Sequence, residues 1–207
     1  ELVTNALRHG AEPVTVRLSR RAGALAVEVR DHGAGIADTV LPALQPTTLA
    51  HKVTENELSG VGEGSSLVGI KEDHTYTVHD LWLGVFLRSG NDAVHVLSEM
   101  YGGVPQTVAA MQKHAEELQA LDTVVVSPDG YDAPRQVSSA YDLTLIARSG
   151  LQKKDFREYA ATASADFPGE KKKGKKRESF EISNTNRLIT GDIGVEAADR
   201  PAPLRRP

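Results

Sequence analysis

A serine and an asparagine stand one residue apart in Ser89-Gly90-Asn91, between two segments that both read as helices. They offer a hydroxyl and a carboxamide, groups that each donate and accept hydrogen bonds. On local sequence alone a serine at that position also fits a capping or turn role. A second polar set lies at the start of the chain. Glu1, Asn5 and His9 are spaced four apart, so a helix projects all three from one face while Leu2, Val3, Ala6 and Leu7 form an apolar stripe elsewhere. The chain has no cysteine, which excludes disulfides and thiolate chemistry. His51, His74, His79, His95 and His114 follow no standard ligand spacing, and no metal is predicted.

The elements that must position these groups follow from periodicity. Residues 1–10 read as a helix end stopped by Gly10. Val14, Val16 and Leu18, then Leu25, Val27 and Val29, alternate around a Gly turn and describe an antiparallel hairpin that ends in Asp31-His-Gly-Ala-Gly35. Residues 39–66 read as loop and short strand, and the Gly-rich stretch Ser59-Gly-Val-Gly-Glu-Gly-Ser-Ser66 as turn. Thr77 can cap a helix whose apolar residues surround the cylinder, which predicts a buried helix leading directly to Ser89. Further helices are predicted over 91–100, 105–120, 139–150 and 153–162, a short β-rich run at 123–126, a turn at 128–131 and a strand at 179–183. The last dozen residues lack any apolar period and read as disordered.

At 207 residues the chain has room for one ordinary domain, or one domain plus a fragment. Because it starts at Glu1, inside a helical pattern, it reads as a fragment or processed piece. A net charge of -4 offers no general attraction to nucleic acid, and the basic run 171–177 lacks interleaved aromatics and reads as a solvated loop. No stretch approaches the roughly 18 to 20 apolar residues of a membrane span, and no charged-then-apolar leader opens the chain.

Four blocks resemble, in order, the D-alanyl-D-alanine carboxypeptidases of serine peptidase class S11, the penicillin-binding and β-lactamase-like enzymes. They are Tyr76-Thr-Val-His-Asp-Leu-Trp-Leu-Gly-Val-Phe-Leu-Arg-Ser-Gly-Asn-Asp-Ala93, Val126-Ser-Pro-Asp-Gly-Tyr-Asp132, Ser139-Ala-Tyr-Asp-Leu143 and Phe180-Glu-Ile-Ser-Asn-Thr-Asn-Arg-Leu188. The resemblance covers residues 39–195. It implies an α+β fold of the β-lactamase/transpeptidase type, mostly the helical subdomain with an incomplete antiparallel sheet. It also implies a cell-envelope site, peptidoglycan stem peptides or β-lactams as partners, and no cofactor.

In such enzymes a Ser-x-x-Lys nucleophile attacks the peptide carbonyl, Ser-x-Asn faces it, and Lys-Thr-Gly binds the terminal carboxylate. By this resemblance Ser89 relays a proton to the leaving D-alanine, Asn91 hydrogen-bonds the substrate backbone, and Gly90 leaves room for substrate. The other two pieces are missing. No lysine in the chain has a serine three positions before it, and Thr190-Gly191 lacks a preceding lysine. The nucleophile's expected place falls on residues 30–35. The chain is therefore expected to be catalytically incomplete.

Residues 1–38 resemble instead the N box and first glycine box of histidine-kinase-like ATPases. The resemblance implies Asn5 on Mg²⁺ of bound Mg-ATP, Glu1 as base, Asp31 on the adenine amino group, and Gly33 and Gly35 where backbone approaches nucleotide. The expected organisation is an ATPase fragment with a helix and β-hairpin at 1–38, a carboxypeptidase-like domain at 39–195 and a tail at 196–207. Two alternatives accompany the peptidase reading: an ATP-binding regulator of the anti-sigma-factor kind, and a non-catalytic peptidoglycan-binding relative.

Overall fold

The computed structural model describes residues 15–21, 24–30, 34–131, 133–171, 174–186 and 189. Glu1, Asn5, His9, Asp31, Gly33, Thr190-Gly191 and the 196–207 tail lie outside the described residues.

The predicted hairpin forms as β1 (Thr15–Arg21) and β2 (Ala24–Arg30), with a register that pairs Val16 with Val29 and Leu18 with Val27. A helix not expected from the sequence, α1 (Ala34–Val40), follows. Ile36, Ala37, Val40 and Leu41 are all buried, and this i, i+1, i+4, i+5 spacing gives the helix its inward face. Gly35, expected where backbone approaches nucleotide, is the second residue of this helix. Two short pieces interrupt the expected loop region: β3 (Ala50–Lys52) and the single turn α2 (Glu55–Leu58), closed by a reciprocal Thr54–Glu57 capping box.

Strand β4 (Thr75–Thr77) pairs antiparallel with β3 and runs directly into α3 (Val78–Arg88). Thr77 caps α3 as predicted: its hydroxyl accepts from the Asp80 amide at 3.0 Å, and the Asp80 carboxylate accepts from the Thr77 amide at 2.8 Å. Val78, Leu81, Trp82, Leu83, Val85 and Leu87 are buried, so α3 is the axis of the core. Around it pack α4 (Asn91–Tyr101), α5 (Val104–Glu117), α6 (Ala140–Gly150) and α7 (Lys154–Ala161). Phe86 on α3 meets Phe156 edge-on at 5.0 Å and stacks on Tyr159 at 5.5 Å, fixing α7 against the axis.

The strand expected at 179–183 is β6 (Ser179–Ser183), and its antiparallel partner is β5 (Ser164–Pro168), which the sequence did not reveal. Phe167 of β5 is fully buried and stacks on Tyr76 at 5.7 Å, which seats this second hairpin on α3 and β4. The basic run 171–177 is the hairpin's connecting loop. The β-rich run at 123–126 contributes an isolated bridge, Val124 to Val137, and no named strand. The described strands therefore form three separate two-stranded pairs beside a helical body, a mixed α+β arrangement. Among the described residues no helix is long and apolar enough to cross a membrane.

Candidate active site

The Ser-Gly-Asn turn links the C-terminus of α3 to the N-terminus of α4. Its unusual residue is Ser89, which takes the left-handed conformation with φ 50° and ψ 40°, while Gly90 has an ordinary φ of -69°. The Ser89 amide donates to the Val85 carbonyl at 3.0 Å and the Gly90 amide to the Gly84 carbonyl at 3.1 Å, closing the helix with the turn that glycine usually makes. A side chain in this conformation costs about 1 to 2 kcal/mol. The fold therefore holds Ser89 in a strained, half-buried position of the kind that clusters at functional sites. Ser89→Gly is accordingly expected to raise folding stability by about 1 kcal/mol in urea unfolding, because glycine adopts this conformation freely. Loss of stability would show that the Ser89 side chain makes contacts outweighing the strain.

Gly90 is closely packed within the fold. A Cβ there would meet the Asp92 carboxylate at 3.0 Å, the Gly84 carbonyl at 3.1 Å and Val68 at 3.2 Å, so internal packing already demands a glycine. Asn91 is buried, and its amide donates to the Ser66 carbonyl at 2.9 Å. The residue that locks the turn in place is Asp92, which sequence reasoning missed. One carboxylate oxygen accepts from the Val68 amide at 3.0 Å, and the other from the Gly69 and Ile70 amides, both at 2.8 Å. A loop more than twenty residues upstream is thereby fixed to the second residue of α4.

Of the other three blocks, one reaches this turn and two pack elsewhere on the helical body. The Thr185 amide donates to the Leu87 carbonyl at 3.0 Å, so the block containing β6 ends beside the Ser-Gly-Asn turn. In the block at 139–143, Ser139 caps α6 and buried Asp142 accepts from the Asp122 amide and the Thr123 hydroxyl, each at 2.8 Å. In the block at 126–132, buried Asp129 accepts from the Ser127 hydroxyl at 2.6 Å and the Tyr131 amide at 3.0 Å, and faces His95 Nε2 at 3.3 Å. Burial opposes ionisation of Asp129, but His95, Ser127 and Tyr131 together outweigh it and hold the carboxyl below its ordinary value. His95 lies one turn beyond Asn91 on α4, and with Asp129, Glu57, Glu99 and Tyr131 it lines a cavity of about 440 Å³ that does not include the Ser-Gly-Asn turn.

The Gly-rich stretch 59–66 packs against this assembly. A Cβ at Gly60 would meet the His95 ring at 2.9 Å and one at Gly62 the Tyr131 ring at 2.7 Å, while the Tyr131 hydroxyl donates to the Glu63 carbonyl at 2.7 Å. Of the residues expected to hold Mg-ATP, Glu1, Asn5, Asp31 and Gly33 lie outside the described residues, and Gly35 is within α1.

Helix α1 directly precedes Leu41-Pro42 and contains neither serine nor lysine. It carries Asp38, whose side chain is fully buried. One Asp38 oxygen pairs with Lys153, the other with His114 Nε2 at 2.6 Å, and Lys153 also donates to the Asp38 carbonyl at 2.8 Å. This cluster ties α1 to α5 and to the start of α7. Among the described residues no group of His, Asp and Glu side chains is arranged to hold a metal ion.

Known proteins are similar to this chain in sequence and fold. Residues 40–197 match the sequence profile of peptidase S11, D-alanyl-D-alanine carboxypeptidase. The D-alanyl-D-alanine carboxypeptidase DacB2 of Mycobacterium tuberculosis is 39% identical over 105 residues, covering 50% of this chain and 36% of the relative. Three of the curated relatives are matched over only 29% to 36% of their own length. Among solved structures, a D-alanyl-D-alanine carboxypeptidase from Mycobacterium tuberculosis H37Rv superposes with a TM-score of 0.66 at 26% identity, covering 87% of this chain and 72% of that one. The Streptomyces K15 DD-transpeptidase shares the fold with a TM-score of 0.69 at 23% identity, over 80% of this chain and 68% of that one. Family profile and fold agree: over residues 40–197 this chain belongs to the D-alanyl-D-alanine carboxypeptidase family S11.

Proposed function

We propose that this chain is a carboxypeptidase-like protein of peptidoglycan metabolism in the cell envelope, and that its Ser-Gly-Asn turn receives the D-alanyl-D-alanine end of a stem peptide without being acylated by it. The observation that carries this reading is the strained Ser89 fixed between two buried helices, in a chain where no lysine follows a serine by three positions. In this reading the Asn91 carboxamide hydrogen-bonds the peptide backbone. Ser89 occupies the place from which its hydroxyl would pass a proton to a departing D-alanine. Neither group supplies a nucleophile or the base that would activate one, so the chain as it stands binds and does not turn over. In this reading α1 packs with the unit, since Ile36 and Ala37 are buried in the same core as α3.

Titration of the amide resonances with an acyl-D-alanyl-D-alanine peptide tests this. Shifts centred on residues 89–91 and abolished by Asn91→Ala support the reading. Shifts confined to the cavity beside His95, or none at millimolar peptide, sink it.

A further inference from the structure

The loop joining β5 to β6 reads Lys171-Lys-Lys-Gly-Lys-Lys-Arg177 and concentrates six cations in a chain whose net charge is -4. Its base is built to hold it still. The Gly169 amide donates to the Glu178 carbonyl at 2.9 Å, and the Lys171 amide donates to His74 Nε2 at the same distance. Arg177 turns inward: it donates to the carbonyls of Gly169, Pro168 and Thr75, and its guanidinium lies 4.5 Å above the Tyr76 ring. Arg177 is thus spent as an anchor.

Lys171, Lys175 and Lys176 are not used in this way. All three are exposed and in no ion pair among the described residues. Beside them on β6, Phe180 is 44% exposed.

We propose that this loop is a docking surface for an anionic phospholipid bilayer, with the lysines at the headgroup level and Phe180 at its margin. Clustered lysines are attracted to a negatively charged bilayer, and an aromatic beside them suits the interface. A long polyanion that wraps a protein would meet the acidic remainder of the chain. A plane touched by the tip meets the six cations with only Glu170 and Glu178 directly beside them, and screening over about 8 Å weakens the pull of the more distant acids. The run also has no interleaved aromatics on which bases could stack.

The geometry gives docking a consequence. Arg177 grips Tyr76 at the start of α3, whereas Ser89 ends α3, eleven residues or about 16 Å further along the axis. If the Ser-Gly-Asn turn is the peptide site proposed above, docking holds it on the side away from the bilayer, toward the wall. This orientation rests on that reading; the lipid binding itself does not.

Sedimentation of the full chain with phosphatidylcholine vesicles, with and without phosphatidylglycerol, tests the proposal. Binding is expected only with phosphatidylglycerol. It should fall about a hundredfold in K171Q/K175Q/K176Q and be lost between about 0.05 and 0.5 M salt. Unchanged circular dichroism shows that the variant is folded. Because the chain lacks cysteine, nitroxide-lipid quenching of a fluorophore at Lys175→Cys but not at Ser89→Cys reads the orientation. No vesicle binding, equal binding by the triple variant, or tighter binding to a short DNA duplex than to vesicles overturns the proposal. Vesicle binding that persists in Asn91→Ala while peptide binding is lost separates the two surfaces.

Discussion

Asp92→Ala is expected to destabilise the protein by about 4 kcal/mol, the largest effect of any single polar substitution near the site. Its carboxylate is buried and accepts from three consecutive backbone amides, those of Val68, Gly69 and Ile70. Hydrogen bonds to a charged acceptor contribute about 1.5 to 3 kcal/mol each, and truncation also leaves the amides facing a void. The loop would swing away from α4, taking with it Ser66, whose carbonyl receives the Asn91 amide. Asp92→Asn keeps one acceptor oxygen but turns an amine toward the other donors, so an intermediate loss is expected. Urea unfolding followed by circular dichroism measures both. A loss below about 1 kcal/mol for Asp92→Ala would mean that the loop is held by its apolar contacts, Val68 and Ile70, and not by the carboxylate.

The second large effect is expected at Asp38. Its side chain is fully buried, and it faces Lys153 and His114, which remain 29% and 24% exposed. Asp38→Ala is expected to cost about 3 kcal/mol, at the lower end for breaking a buried pair, because the Lys153 and His114 side chains can turn toward water when the carboxylate is gone. A double-mutant cycle with Lys153→Met should give a coupling energy above about 1 kcal/mol. A coupling near zero would show that Asp38 is held by α1 packing alone.

Sequence made the helical body legible because its signals are local. Thr77 and Ser139 cap α3 and α6 as their residue types require, Gly102-Gly103 ends α4, and the apolar residues all round α3 announced its burial. Strand β5 was not legible: only Phe167 of its five residues is buried, and the segment becomes a strand through its pairing with β6. Helix α1 was hidden by the glycines that open it, which read as a loop motif while Ile36, Ala37 and Val40 supplied the buried face.

At the site, Ser89-Gly90-Asn91 was visible as a polar triplet, but its geometry was not. Glycine is the residue that most readily takes the left-handed conformation, yet the structure gives that conformation to Ser89 and an ordinary φ to Gly90. Asp92 itself sits within the most conspicuous block of the sequence, yet its role depends on a loop more than twenty residues away. No spacing rule connects the two.

The central proposal is that the 207-residue chain presents its Ser-Gly-Asn turn to a peptide without being acylated. Intact-mass spectrometry of the 207-residue chain after incubation with benzylpenicillin tests this most directly. The account predicts an unchanged mass. A stable increase by one penicilloyl group, localised by peptide mapping to any serine, would contradict it.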